Sequence, residues 1–411
     1  MTQSFRNRAT LFLRARHVAK AVALLVLLVW AVSLAGPAAA GSAARTAAKP
    51  AAPPAWAFDL IGFKGVLYPS FLVAISKIWL DIQHNSDELG NRSGLVSVNV
   101  VAPRAGAKAI VEMTTTSPLI RSGRAEVTLP RKGKLYHIFP FLSIADAIVL
   151  VKKPVTADVT AKLWLDGVPQ GERTTQVTIA SANDCVRWFV DDGVLYNTDW
   201  MFAAYVNEDD PAVDQILREA LATGEVAAFT GYKADDDGVR KQVKAIWQAL
   251  RQRGIRYSHL PTPSVKPDDV WVQNVRLISE ALAGRQANCV EGSCLFASVF
   301  FKLGLETTLI LFPDHMLVGV ALDPAGERQL YLETTMIGDS SFEDAVATGE
   351  AEVAAVLEKA RQAEARQQDG QGDAPDDAGY ALFVSVNAAR KAGVVPIPDS
   401  NAARQHFFQT R

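Results

Sequence analysis

The chain has 411 residues, 49% of them hydrophobic and 21% charged, which excludes a disordered protein and allows a sizeable core split over two domains. Its formal net charge is −2, and no basic patch with interleaved aromatics appears, so nucleic acid is not an expected partner. The charge is uneven. Residues 1–40 carry Arg6, Arg8, Arg14, Arg16 and Lys20 and no acid, leaving 37 basic against 44 acidic residues beyond them, a net −7.

The basic segment leads into the apolar run Ala21 to Ala35 and then Ala38-Ala39-Ala40-Gly41. Basic, apolar and Ala-x-Ala segments in that order read as a secretory signal over 1–40, cleaved after Ala40. The alternative is an uncleaved anchor, although the run is short against the roughly 20 residues of a membrane span. Both place the bulk of the chain outside the cytoplasm, periplasmic or secreted. Membrane contact is expected only through this segment if it is retained. Residues 41–55 are an Ala/Pro linker.

Residues 56–182 read as β. Val155 to Leu165 alternates apolar and polar positions, Asp166 to Gly171 is a turn, and Thr175 to Ile179 returns. Leu95 to Val101, Ala109 to Met113 and Ala125 to Leu129 are similar short strands. This spacing predicts an immunoglobulin-like sandwich serving as a binding or spacer module. Trp56 to Gly90 has no clear period.

Helical periodicity begins after Asn207. Pro211 opens one helix and Asp235-Asp236-Asp237 precedes a second, ending at Gly254. The acid triplet reads as helix capping, since no calcium-loop spacing accompanies it. Farther on, Asn288-Cys289-Val290-Glu291 stands before the wholly apolar run Leu295 to Phe301. Asn288 is a good N-cap and Glu291 falls where a capping box needs an acid, which is the role assigned to it. Cys289 then occupies the first helical turn, where the helix dipole favours thiolate. Thr307 to Phe312 and His315 to Leu322 are strands broken by Pro313-Asp314, and Asp323 to Gly326 is a turn before Gln329 to Thr334. Folding this hairpin about Pro324 sets Glu333 opposite His315, within reach to orient the imidazole; a one-residue slip would separate their faces. An Ala/Glu-rich helix follows Glu350, then an acidic loop from Asp369 to Gly379, a last strand over Tyr380 to Val386 and a closing turn over Ala389 to Pro396.

Cys289-Val290-Glu291, then Lys302-Leu303-Gly304-Leu305, then His315, then Leu332-Glu333-Thr334-Thr335 together resemble the transglutaminase-like superfamily, over roughly Asn207 to Pro398. The resemblance implies an α+β chain with a transglutaminase-like (papain-like) domain over 197–400. It implies a Cys289–His315–Glu333 triad acting on peptide or protein amides, as acyltransferase or hydrolase. A non-catalytic scaffold on the same fold is the competing reading. Two departures are Leu317, where an aromatic residue is common and the acyl-acceptor side would be reshaped, and Glu333, where Asp is commoner. Gln273 is a weaker candidate for an oxyanion donor, or else a polar residue at a helix start.

No cofactor is expected. His84, His137, His259 and His406 are scattered without ligand spacing, so no metal is expected either. Of the three cysteines, Cys289 and Cys294 should face different ways on one helix, while Cys185 and Cys294 either pair or remain reduced in the core.

Overall fold

A computed structural model describes residues 56–398 apart from 61–62, 78–85, 92–95, 141–143, 192, 234, 260–266 and 369–380. The expected signal segment, linker and acidic loop lie outside the described residues, as do His84 and His406. Within them no helix is long and apolar enough to cross a membrane. The architecture is mixed α+β.

The amino-terminal part contains two sheets. One orders strands β1 (Trp56–Leu60), β4 (Val96–Val101), β7 (Leu135–Phe139) and β3 (Glu88–Gly90) as β1-β4-β7-β3. The other orders β2 (Val66–Leu67), β9 (Val168–Ile179), β8 (Val155–Leu165), β5 (Ala107–Thr115) and β6 (Gly123–Leu129) as β2-β9-β8-β5-β6. Alternation along β5 buries Ala107, Ala109, Val111 and Met113, and these join Val96, Val98 and Val100 of the other sheet in one apolar core. The turn between β8 and β9 is tighter than the expected Asp166 to Gly171. Asp166 and Gly167 take successive positive φ, 48° and 81°, as a two-residue hairpin turn of the Asp-Gly type requires. The unassigned stretch from Trp56 to Gly90 supplies β1, β2, β3 and helix α1 (Pro69–Ala74).

Residues 183–196, outside both expected domains, carry β10 (Asp184–Asp191) and all but the last residue of β11 (Val194–Asn197). β10 also pairs antiparallel with β13 (Val270–Asn274), and the apolar core runs unbroken from the sheets into the carboxy-terminal helices. Helices α2 (Pro211–Ala222) and α3 (Asp236–Gln252) begin where expected, capped by Asp210, which accepts from Ala212 N–H, and Asp235, which accepts from Gly238 N–H. Then come β12 (Arg256–Tyr257), α4 (Ile278–Gly284) and β14 (Gln286–Ala287). Central helix α5 (Cys289–Lys302) packs against β15 (Thr307–Leu311) and β16 (Met316–Ala321), the middle strands of a sheet flanked by β17 (Gln329–Leu332) next to β16 and β18 (Leu382–Ser385) next to β15. Trp247 of α3 stacks on Phe296 of α5 at 5.8 Å, closing the other side of the helix.

β17 (Gln329–Leu332) is covered by α6 (Phe342–Gln368), which starts eight residues before the expected Ala/Glu-rich segment. The chain then forms β18 (Leu382–Ser385) and, where a closing turn was expected, α7 (Val386–Lys391), capped by the Ser385 hydroxyl accepting from Ala388 N–H. α6 approaches β17 at Gly349, where a Cβ would lie 2.8 Å from Tyr331 O. Gly349→Ala should therefore destabilise the fold. The helix-propensity gain of about 1 kcal/mol is smaller than the roughly 1–3 kcal/mol of overpacking. Urea unfolding checks the sign, and a stabilised variant would contradict this packing.

Candidate active site

Cys289 opens α5 because its neighbours cap the helix in the manner the sequence predicts. Asn288 Oδ1 accepts from Glu291 N–H at 2.9 Å, and Glu291 Oε2 accepts from Asn288 N–H at 2.9 Å. Glu291 is fixed further by Arg276, immediately beyond β13. Its Oε1 accepts from Arg276 N–H at 3.1 Å and from Nε at 3.0 Å, and its Oε2 accepts from Nη2 at 2.7 Å. Glu291 thus serves as a cap and as half of a buried ion pair. The second turn of α5 is pinned as well. Ser293 Oγ donates to Met316 O at 3.2 Å, and a Cβ at Gly292 would stand 3.0 Å from Thr334 Oγ1. Glycine there lets the helix start close upon the residue that follows Glu333.

His315 leaves the turn between β15 and β16, its carbonyl accepting from Phe312 N–H at 2.8 Å, and the Phe312 ring stacks with the imidazole at 6.2 Å. Its Nε2 meets Glu333 Oε2 at 2.6 Å. The register differs from the expected one. Val318 pairs with Leu332, so Glu333 falls opposite Leu317 and reaches His315 diagonally. The reason is the loop. Asp323 accepts from the N–H groups of Ala325, Glu327 and Arg328, and the hairpin turns about 325 rather than Pro324. A two-residue displacement keeps the same face, so the contact survives. Leu317 itself is fully buried with Ile310 and Val353.

Glu333 is buried, and its Oε1 accepts from Thr335 N–H at 2.8 Å and Thr335 Oγ1 at 2.5 Å. Burial alone would raise its pKa, but the hydrogen bonds from His315 and Thr335 prevail and hold the carboxyl below its ordinary range. Cys289 acts on the same ring: its interaction first, and Glu333 second, push the imidazole up to about 10. With Nε2 engaged by Glu333, Nδ1 is the nitrogen left for the thiol. The arrangement favours an imidazolium held by a buried carboxylate.

These shifts fix a stability prediction. A raised histidine stabilises the fold fully below its ordinary value of 6.5 and loses that contribution as pH climbs through about 10. A depressed carboxylate contributes fully above 4.5 and loses its contribution as pH falls through the lowered folded value. The difference in urea midpoint between wild type and His315→Gln should therefore be greatest between 4.5 and 6.5 and shrink toward 10. A difference that grows with alkalinity would contradict the paired imidazolium.

Gln273 sits on β13 opposite Cys185, partly buried, and among the described residues no hydrogen bond joins it to Cys289 or His315. Cys185 and Cys294 are free thiols in the core, the reduced alternative of the sequence reading, and burial pushes both up. His137 is half-buried on β7 and His259 is exposed, each remote in the chain from the trio. Two residues near the trio had no sequence signal of their own. Tyr257 of β12 lies alongside Ala287 in a parallel pair, is 46% exposed, and has its phenol pushed up by burial and then by Cys289 and Glu333. Glu352 of α6 completes the one group of ligand-type side chains gathered among the described residues, with His315 and Glu333. Only pairing across the fold brings either residue here.

Comparison with known proteins adds no relative: no family model and no curated protein matches the chain.

Proposed function

We propose that this chain is a cysteine-dependent acyltransferase or hydrolase of peptide or protein amides, built on a transglutaminase-like (papain-like) domain that follows an immunoglobulin-like sandwich. One observation carries the reading: the buried Glu333 carboxylate holds Nε2 of His315 at 2.6 Å, and a thiol at a helix N-terminus, Cys289, acts on the same ring. A structural histidine would need one such partner, not a thiol at a helix dipole and a buried carboxylate together. The proposal extends to export, supported by the order of basic, apolar and Ala-x-Ala segments in 1–40.

In this reading the Cys289 thiolate attacks the amide carbonyl and its sulfur–carbon bond forms. The oxyanion is met by the Cys289 backbone N–H, which has no intrahelical partner at the first helical position. The Gln273 amide is the second donor that the family resemblance implies. Collapse of the tetrahedral adduct breaks the C–N bond, and the imidazolium proton passes to the departing amine. The resulting thioester is resolved by water or by a second amine, with neutral His315 taking the incoming proton. Glu333 holds the ring orientation throughout.

Purified protein incubated with a glutamine-containing peptide library, with and without a primary amine, tests this. Amine incorporation identifies a transferase, while ammonia or peptide release without incorporation identifies a hydrolase. Wild type behaving as Cys289→Ala in both assays, with Cys289 alkylating no faster than Cys185 or Cys294, would leave a non-catalytic scaffold.

A further inference from the structure

The His315 ring has two carboxylates beside it, and the acyl-transfer chemistry uses one. The close approach of α6 to β17 at Gly349 brings the next turn of α6, with Glu352, to the end of the strand that delivers Glu333. A ring nitrogen of His315, a carboxylate oxygen of Glu333 and one of Glu352 all lie within 4.8 Å of one another. Cys289 stands outside that grouping, although it acts on the same ring. Glu352 is partly buried and forms no hydrogen bond or ion pair within the described residues. One imidazolium balances one carboxylate, and Glu333 already has it. A second negative charge at this range still acts on the ring, because Coulomb interactions extend past contact distance at the edge of a protein.

We propose that Glu352 is a positioning residue of this site, a second carboxylate that acts through His315 to keep the ring charged, and so to keep the proton that the departing amine takes available, into alkaline solution. The groups that act on Glu352 are few. Burial first and Glu333 second push its carboxyl up, while His315 pulls it down. Glu350, on the same helix, acts instead on Tyr331. Where Glu352 is ionised, both carboxylates favour imidazolium. Where it takes up a proton, as pH falls through its raised value, Glu333 alone remains. The catalytic consequence rests on the acyl-transfer reading, but the charge on the ring can be measured without activity.

The test is NMR titration of the His315 ring from neutral to alkaline pH, assigned by its loss in His315→Gln, in wild type and in Glu352→Gln. Removing one charge about 5 Å away should lower the ring's midpoint by about 0.5–1 pH unit. Glu352→Asp, which keeps the charge, should recover most of that shift, and the alkaline limb of amine release should move with the ring. A purely structural role for Glu352 would lower the urea midpoint and leave the titration in place. An unmoved titration in Glu352→Gln overturns the proposal. Glu333→Gln separates this from failure of the site as a whole. If that variant shifts the ring and Glu352→Gln does not, only the role of Glu352 falls; if neither does, the triad falls as well.

Discussion

Glu333→Gln should slow acyl transfer by about 10³- to 10⁴-fold while leaving the chain folded. The substitution keeps side-chain volume, and the amide oxygen can stay with the two Thr335 donors that now hold Oε1. The amide NH₂ then replaces Oε2 against Nε2 of His315. A donor facing Nε2 requires that nitrogen to be unprotonated, which puts the ring proton on Nδ1, toward the thiol. In that tautomer the ring cannot accept the Cys289 proton, and the imidazolium loses its counter-charge. His315→Ala should cost at least as much, and Cys289→Ala should remove thioester formation outright. Burst-phase release from a labile amide or ester measures all three, with circular dichroism confirming the fold. Retention of wild-type rate in Glu333→Gln would show that the carboxylate does not orient the ring.

The second large effect concerns stability. Arg276→Ala should cost about 3–5 kcal/mol, because removing one partner of a buried ion pair strands the other. Glu291 is the partner that cannot escape: its side chain is 3% exposed, against 22% for Arg276. The variant loses the bonds from Nε and Nη2 but keeps those from the Arg276 and Asn288 backbone N–H groups, which favours the lower end of the range. Arg276→Lys should recover only part of the loss, since a single ammonium cannot reproduce a two-pronged contact. Urea unfolding reads these changes. A loss below about 1 kcal/mol for Arg276→Ala, the range of exposed pairs, would mean that the pair does not anchor the start of α5. Alkylation of Cys289 should slow in the same variant, because the cap that places the thiol is the same carboxylate.

The sequence determined the local parts of this molecule. Asn288 and Glu291 three positions apart were enough to place Cys289 at a helix start, because a capping box involves only backbone and side chains within one turn. Strand β8 has the bounds its alternation predicts, since one face meets the core and the other water. The chain order of Cys289, His315 and Glu333 was legible, and so was their common side of the fold, because a hairpin preserves side-chain parity. The register was not. It depended on how the Asp323 carboxylate folds its loop, a matter of three hydrogen bonds that no hydrophobic period records. Tertiary structure alone decided that β10 pairs with β13 across more than 80 residues of chain and sets Arg276 against Glu291. It alone brought Glu352 from an Ala/Glu-rich helix to the neighbourhood of His315 and Glu333. Local pattern encodes which face of an element is buried, whereas the partner it is buried against is chosen by packing of the whole core.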